Sequence, residues 1–237
     1  MYQRRIAISL LACLCASCAC TGKSSTSSPP AQHDAAPTTG LFAVNGFDSS
    51  QAGSLPEGWR AEATNSDGPL ATWKILVDAS APSNPNCLAL TATNHKSQDA
   101  FNLCWSSAAT FLDGTLEVAL RADAGVVDQG GGLIWRGQDK DNYYIARFNP
   151  LESNYRVYYV KGGKRVQLAS AAANQRAGEW HKLKIEHVGK RITCSMDGQQ
   201  LLQVEDGTLS QAGGVGFWTK ADARTSFDSL GITPHAP

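Results

Sequence analysis

GGGLIWRGQDKDNYYIARFNP, residues 130–150, sets two alternating apolar runs on either side of a polar centre. Period-two alternation marks pleated strands, and Gly137 to Asn142 has the composition of a hairpin loop. Folding the two runs about that loop sets Ile134 beside Ile145, Trp135 beside Tyr144 and Arg136 beside Tyr143. One face then carries Leu133, Trp135, Tyr144 and Ala146. The other carries Ile134, Arg136, Tyr143, Ile145 and Arg147, a mixture of guanidinium, phenol and aliphatic groups. Such a mixture is unusual for a plain solvent face and suits a concave binding surface. The competing reading pairs both arginines with acids in a structural network. Asp139 and Asp141 could be turn residues, calcium ligands or an acid–base pair. An exposed hairpin tip does not supply the burial that raises a carboxyl pKa, so the turn role is favoured.

Working outward, short alternating runs recur at 72–78, 87–93, 101–107, 114–122, 132–136, 143–149, 155–161 and 164–170. They continue at 181–188, 191–197, 199–206, 213–220 and 225–232. No stretch has convincing helical periodicity. Strands at this spacing predict an all-β chain folded as a two-sheet antiparallel jelly-roll sandwich. Lys161-Gly162-Gly163-Lys164, Val188-Gly189-Lys190 and Met196-Asp197-Gly198-Gln199 supply hairpin turns. A run of hairpins predicts a meander, with most sequence neighbours adjacent in a sheet.

The 237 residues carry 21 basic and 21 acidic side chains, for a formal net charge of zero. With no basic stripe, nucleic acid is an unsuitable partner. Residues 1–20, MYQRRIAISLLACLCASCAC, read as a targeting segment, with Arg4 and Arg5 preceding an apolar run too short to span a bilayer. Its cysteines among small residues resemble a bacterial lipoprotein signal. Cys18 fits best on apolar-run length, with Cys13 and Cys20 as alternatives, and the anchor would bind the protein to a membrane of the cell envelope. Residues 21–40 contain almost no large apolar side chain and read as a disordered linker. The sandwich domain is assigned to 41–237.

Three segments carry a family resemblance: FDSSQAGSLPEGW (47–59), residues 132–170, and GEWHKLKIEHVGKRITCSMDGQQLLQVED followed by GGVGFWTKADARTSFDSLGI. Together they resemble the concanavalin A-like, laminin-G-like jelly roll of bacterial secreted proteins, and the group includes 3-keto-disaccharide hydrolase-like and family 16 glycoside hydrolase-like chains. The resemblance implies a carbohydrate partner and a sugar-processing site, although this fold hosts lectins, glycanases and adhesion modules alike. Family 16 glycanases place an E-x-D-x-x-E triplet on one strand, and no glutamate here begins one, so that machinery is missing. The resemblance also implies a structural calcium where first and last strands pair, with Asp48 and Asp228 as ligands beside carbonyls and water; the competing reading, slightly favoured, is two solvated edge aspartates.

Other residues complete the set. Cys87 and Cys104 lie on strands that a hairpin would bring face to face, which in an oxidising compartment predicts a disulfide; Cys194 reads as a buried free thiol. His181 and His187 lie roughly 20 Å apart on one strand and cannot share a metal. Trp59 and Trp73 are assigned to the core, whereas Trp135 and Trp218 are candidates for stacking on sugar rings together with Arg136, Tyr143 and Arg147. The expectation is a carbohydrate-binding or glycan-associated jelly roll outside the cytoplasm. The alternatives are a glycoside or 3-keto-disaccharide hydrolase and a protein-interaction module.

Overall fold

A computed structural model describes residues 42–44, 46–66, 68–94 and 96–235. The targeting segment with Cys18, and the linker, lie outside the described residues. The described chain forms fifteen strands and no helix: β1 (Phe42–Val44), β2 (Arg60–Thr64), β3 (Thr72–Val77), β4 (Asn86–Ala92), β5 (Phe101–Phe111), β6 (Gly114–Ala124), β7 (Gly131–Asp139), β8 (Asn142–Asn149), β9 (Asn154–Lys161), β10 (Lys164–Ala172), β11 (Trp180–Val188), β12 (Arg191–Met196), β13 (Gln199–Glu205), β14 (Gly213–Lys220) and β15 (Arg224–Pro234). Every strand read from sequence is present; β1 and β2 are additional.

One sheet runs β13-β12-β11-β6-β15-β4-β3, with β1 paired to β15, and the other runs β10-β9-β8-β7-β14-β5-β2. All pairings are antiparallel, and the architecture is the expected jelly-roll sandwich. The meander holds only in part: β7 to β10 and β11 to β13 are consecutive hairpins. Elsewhere β14 inserts between β7 and β5, and β15 between β6 and β4, as crossing connections.

Two apolar clusters follow from the alternation. The main core lies between the sheets and takes residues of both, including Trp73, Leu116, Trp135, Tyr144, Phe148, Ile185, Phe217 and Phe227. A second cluster takes residues of the seven-stranded sheet alone, from its opposite face: Phe101, Leu103, Trp105, Ile134, Tyr143, Ile145, Val160 and Trp218. Each large aromatic side chain so buried removes roughly 150–250 Å² from water, so the second cluster is a core in its own right. Glycine shapes its floor. A Cβ on Gly216 would lie 2.3 Å from the Cβ of Trp105, and one on Gly214 would lie 2.7 Å from its ring. Only bare backbone lets that indole lie flat on β14.

The opening hairpin has the register read from sequence at Ile134–Ile145 and Trp135–Tyr144, but a bulge intervenes between Trp135 and Asp139. Arg136 sits in it with φ +48°, in the left-handed region. The extra residues break the alternation, so Arg136 does not join Tyr143 on the second face.

The expected disulfide is corrected: Cys87 and Cys104 are free thiols, as is the buried Cys194. Strands β4 and β5 belong to different sheets and form no hairpin. Cys104 faces the inter-sheet core, while Cys87 lies on the far side of the other sheet beside Ser226.

Candidate functional site

The second face of the seven-stranded sheet curls into a concavity, called the hollow below, that is lined and largely filled by its own apolar cluster. Its edge strands, β2 and β10, would lie about 29 Å apart in a flat sheet at ~4.8 Å per strand. Instead, diagonal corners meet. Asn65, just past β2, donates from Nδ2 to the Gly163 carbonyl at the start of β10 (3.0 Å). Thr64 bonds the Tyr143 hydroxyl at 2.7 Å and also donates to the Lys140 carbonyl. Right-handed twist accumulated over seven strands brings such corners together. The face is therefore concave, as its composition suggested, but Tyr143, Ile145 and Trp218 are each 0% exposed beneath the closure.

Arg165 of β10 forms the roof. Its guanidinium carbon stands 4.6 Å from the Tyr158 ring centroid, 4.9 Å from that of Phe101 and 5.6 Å from that of Trp218. Among the described residues no carboxylate pairs with it, and its buried Nη1 has no hydrogen-bond partner. Burial, reinforced by the like charge of Arg147, lowers the Arg165 pKa. Further buried donors inside the hollow are equally unpartnered: Trp218 Nε1, the Tyr158 hydroxyl and Arg147 Nε. The Trp218 N–H faces the Tyr143 hydroxyl without reaching hydrogen-bond geometry. Buried polar groups are nearly always paired, so a cluster of orphaned donors points to a missing acceptor.

One flank of the hollow is ionic. Arg147 Nη2 donates to Asp128 Oδ1 at 2.9 Å, and Asn149 Nδ2 donates to the same oxygen at 3.0 Å. Lys220 Nζ lies 3.9 Å from Asp128 Oδ2. Burial pushes the Asp128 carboxyl above its ordinary value despite those cations. The Asp128 loop is itself fixed, because Asp222 accepts the N–H groups of Val126, Val127 and Asp128.

The residues proposed from sequence are thus divided. Tyr143, Arg147 and Trp218 line the hollow. Trp135 does not: it stacks on Tyr144 in the main core, and its Nε1 donates to His187 Nδ1 at 2.9 Å. Arg136 also leaves the site. It is 2% exposed, and its guanidinium donates to the carbonyls of Leu112, Leu209 and Gly189 and to Asp113 Oδ1. For Arg136 the structural-network reading applies; the bulge turns it onto three loops. Sequence reasoning missed Tyr158, Arg165 and Asp128. The first two were within reach, since extending the register across the turn at 150–153 pairs Ile145 with Tyr158, and across Lys161-Gly162-Gly163-Lys164 pairs Val160 with Arg165. Asp128 sits in a loop, where no periodicity announces it.

At the opposite pole, Asp48 and Asp228 converge on one segment. Asp228 accepts from Ser83 N–H (2.6 Å) and Ser83 Oγ (2.7 Å), and Asp48 accepts from Asn86 N–H (3.1 Å). Asn86 Nδ2 donates to the carbonyls of Phe47, Asp48 and Ser50, which converge on that one atom. Asp139 caps its own turn, accepting from Asp141 N–H and Asn142 Nδ2.

Known structures share this architecture. The carbohydrate-binding module CBM66 from Bacillus subtilis is 19% identical, with a TM-score of 0.55, over 73% of this chain and 93% of that one. The Bacillus licheniformis β-glucanase is 14% identical, with a TM-score of 0.54, over 84% of this chain and 100% of that one. The cellulose-induced protein Cip1 is 13% identical, with a TM-score of 0.56, over 81% and 97%. At such identities the likeness shows the fold alone. No curated protein sequence matches the chain. Residues 43–233 match the family model of the 3-keto-alpha-glucoside-1,2-lyase-like domain, and the chain belongs to that family.

Proposed function

From that membership we propose that the protein binds carbohydrate in the hollow of its seven-stranded sheet, at the Arg165 roof. The observation that carries this reading is the cluster of buried, unpartnered donors among aromatic rings. Sugars present oxygen acceptors at their edges and apolar C–H faces to aromatic side chains, and the hollow offers the complement of both. Structures of the same fold that include a carbohydrate-binding module and a β-glucanase support it. The test is calorimetric titration and glycan-array binding of the full chain beside Tyr158→Phe and Trp218→Phe. Tyr158→Phe deletes only an unpartnered hydroxyl, so binding should weaken at least about fivefold while the melting temperature holds. Binding that survives both changes, or no binding to any glycan, refutes the assignment.

A second reading is catalytic, and the buried Asp128 carboxylate favours it. In a 3-keto-glucoside the ketone acidifies the proton at C2. Asp128 would take that proton as the C1–O bond breaks, the electron pair would form C1=C2, and the departing oxygen would collect a proton from water. Arg165 and Trp218 N–H groups would hold the ketone oxygen as its charge grows. Asp128→Asn should then abolish turnover while leaving binding intact; a wild-type protein that leaves a 3-keto-glucoside unchanged eliminates this reading.

The same proposal places the domain outside the cytoplasm, tethered by a lipid on Cys18. Replacement of Cys18 by Ser should move the protein from membrane to soluble fractions, and an unchanged distribution removes the anchor from that residue. It includes a structural calcium at the Asp48–Asp228 pole. The two carboxylates converge on one segment, and the carbonyls of Phe47, Asp48 and Ser50 would have to exchange Asn86 Nδ2 for the ion, because calcium needs six to eight oxygens. Calcium should raise the melting temperature over chelated protein, and Asp228→Ala should erase the difference; no shift with calcium ends the idea.

A further inference from the structure

We propose that the sugar entering this hollow is acidic, a uronate whose carboxylate seats against Arg165 and the neighbouring N–H groups. The inference rests on the carbohydrate reading and adds the chemical class of the ligand.

The argument begins with what the hollow lacks. Other arginines turned into the protein have acids beside them: Arg121 pairs with Asp78 and Asp123, Arg136 with Asp113, and Arg147 with Asp128. Arg165 has none among the described residues, although aromatic rings lie under it on three strands. A guanidinium taken from water without a counter-charge is costly, and cation–π contact returns only part of that cost. The nearest ionic groups make the deficit larger. Arg147 and Lys220 both address Asp128, and Glu152 is already shared by Arg147 and Arg156. With Arg165 these make four cations against two acids, so the flank carries an excess of positive charge.

The orphaned atoms agree with the charge. Arg147 Nε, Arg165 Nη1 and Trp218 Nε1 can only donate, and the Tyr158 hydroxyl can donate to an anion. One unpartnered acceptor, Asn154 Oδ1 on β9, lies beside Glu152, two pairs beyond the Arg147–Arg156 pair. A carboxylate offers about four lone-pair sites in a plane, and arginine binds it in a fork. A neutral sugar hydroxyl also donates, and would bring protons where the protein already supplies them.

The experiment titrates the full chain with glucuronate- and galacturonate-terminated disaccharides and with their methyl esters, which keep the ring and remove the charge. At least one acid should bind about tenfold more tightly than its ester, as expected of one charge-assisted pair. That preference should shrink with added salt and fall to near unity in Arg165→Gln. Esters that bind as well as the acids overturn the inference while leaving the carbohydrate reading standing. A preference that survives Arg165→Gln overturns the role of Arg165. Acetate binding as tightly as the uronates would reduce the site to an anion hole and overturn the sugar class. Failure of every acid and ester to bind, while neutral glycans do, overturns the inference alone; failure of all glycans removes the carbohydrate reading with it.

Discussion

Arg136 decides between a ligand-binding and a structural use of the second face, and Arg136→Met tests it. Methionine keeps much of the apolar stem and removes the guanidinium. Four hydrogen bonds are lost: to Leu112 O (2.9 Å), Leu209 O (2.9 Å), Asp113 Oδ1 (3.0 Å) and Gly189 O (3.2 Å). Leaving a buried acceptor unsatisfied costs about 1–3 kcal/mol. Asp113 is a third exposed, so water can serve it. Three carbonyls remain, two of them only partly buried, for a total of roughly 3–5 kcal/mol, the range for breaking a buried ionic network. The left-handed φ of +48° adds a control. Arg136→Gly loses the same bonds but regains about 1 kcal/mol of backbone strain, so it should be the less damaging of the two on that count. The measurement is urea unfolding beside glycan titration. A loss below about 1 kcal/mol, with sugar binding abolished, would refute the structural assignment and return Arg136 to the site.

His187 should make stability depend on pH. Burial, with Arg136 beside it, lowers its pKa to about 4 from an ordinary 6.5, so the folded state binds fewer protons than the unfolded one. Stability is then full above pH 6.5 and falls as pH drops toward 4, by about 3 kcal/mol in total; a His187→Gln protein should lose that slope, and an equal slope in both disproves the assignment. Cys87, Cys104 and Cys194 should all react with a thiol reagent after unfolding without reductant, and hardly at all before, since burial raises the Cys87 pKa to about 11; an intact mass two hydrogens short would reveal a disulfide. Gly132→Ala should prevent folding or cost more than about 3 kcal/mol, because its Cβ would meet the Ala146 carbonyl oxygen at 1.7 Å; a near-normal melting temperature contradicts that packing.

The strands were legible because pleating is a local property. Alternation in TWKILV, YYIARFN and HKLKIEHV names the inward side chain at each step, and tight turns fix the register of neighbours. So Trp135–Tyr144 and Ile134–Ile145 were readable pairs, and Trp73 and Cys194 readable core residues. The limits appear where the chain leaves that local rule. Arg136 lies in a bulge, which no periodicity marks, and it therefore turned away from the face to which parity assigned it. Cys87 and Cys104 have the parity expected of them, but the chain between them crosses from one sheet to the other.

Sequence by itself determined the layered all-β class, most strands, and the mixture of arginine and aromatic groups on one face. Only tertiary structure decided that the face is closed, since closure depends on twist summed over seven strands until Asn65, just past β2, bonds Gly163, just before β10. The same summation carries Arg165 over rings far from it in sequence and strips it of a counter-ion. Charge balance within a hollow is a property of what the folded chain brings near, and no local pattern records it.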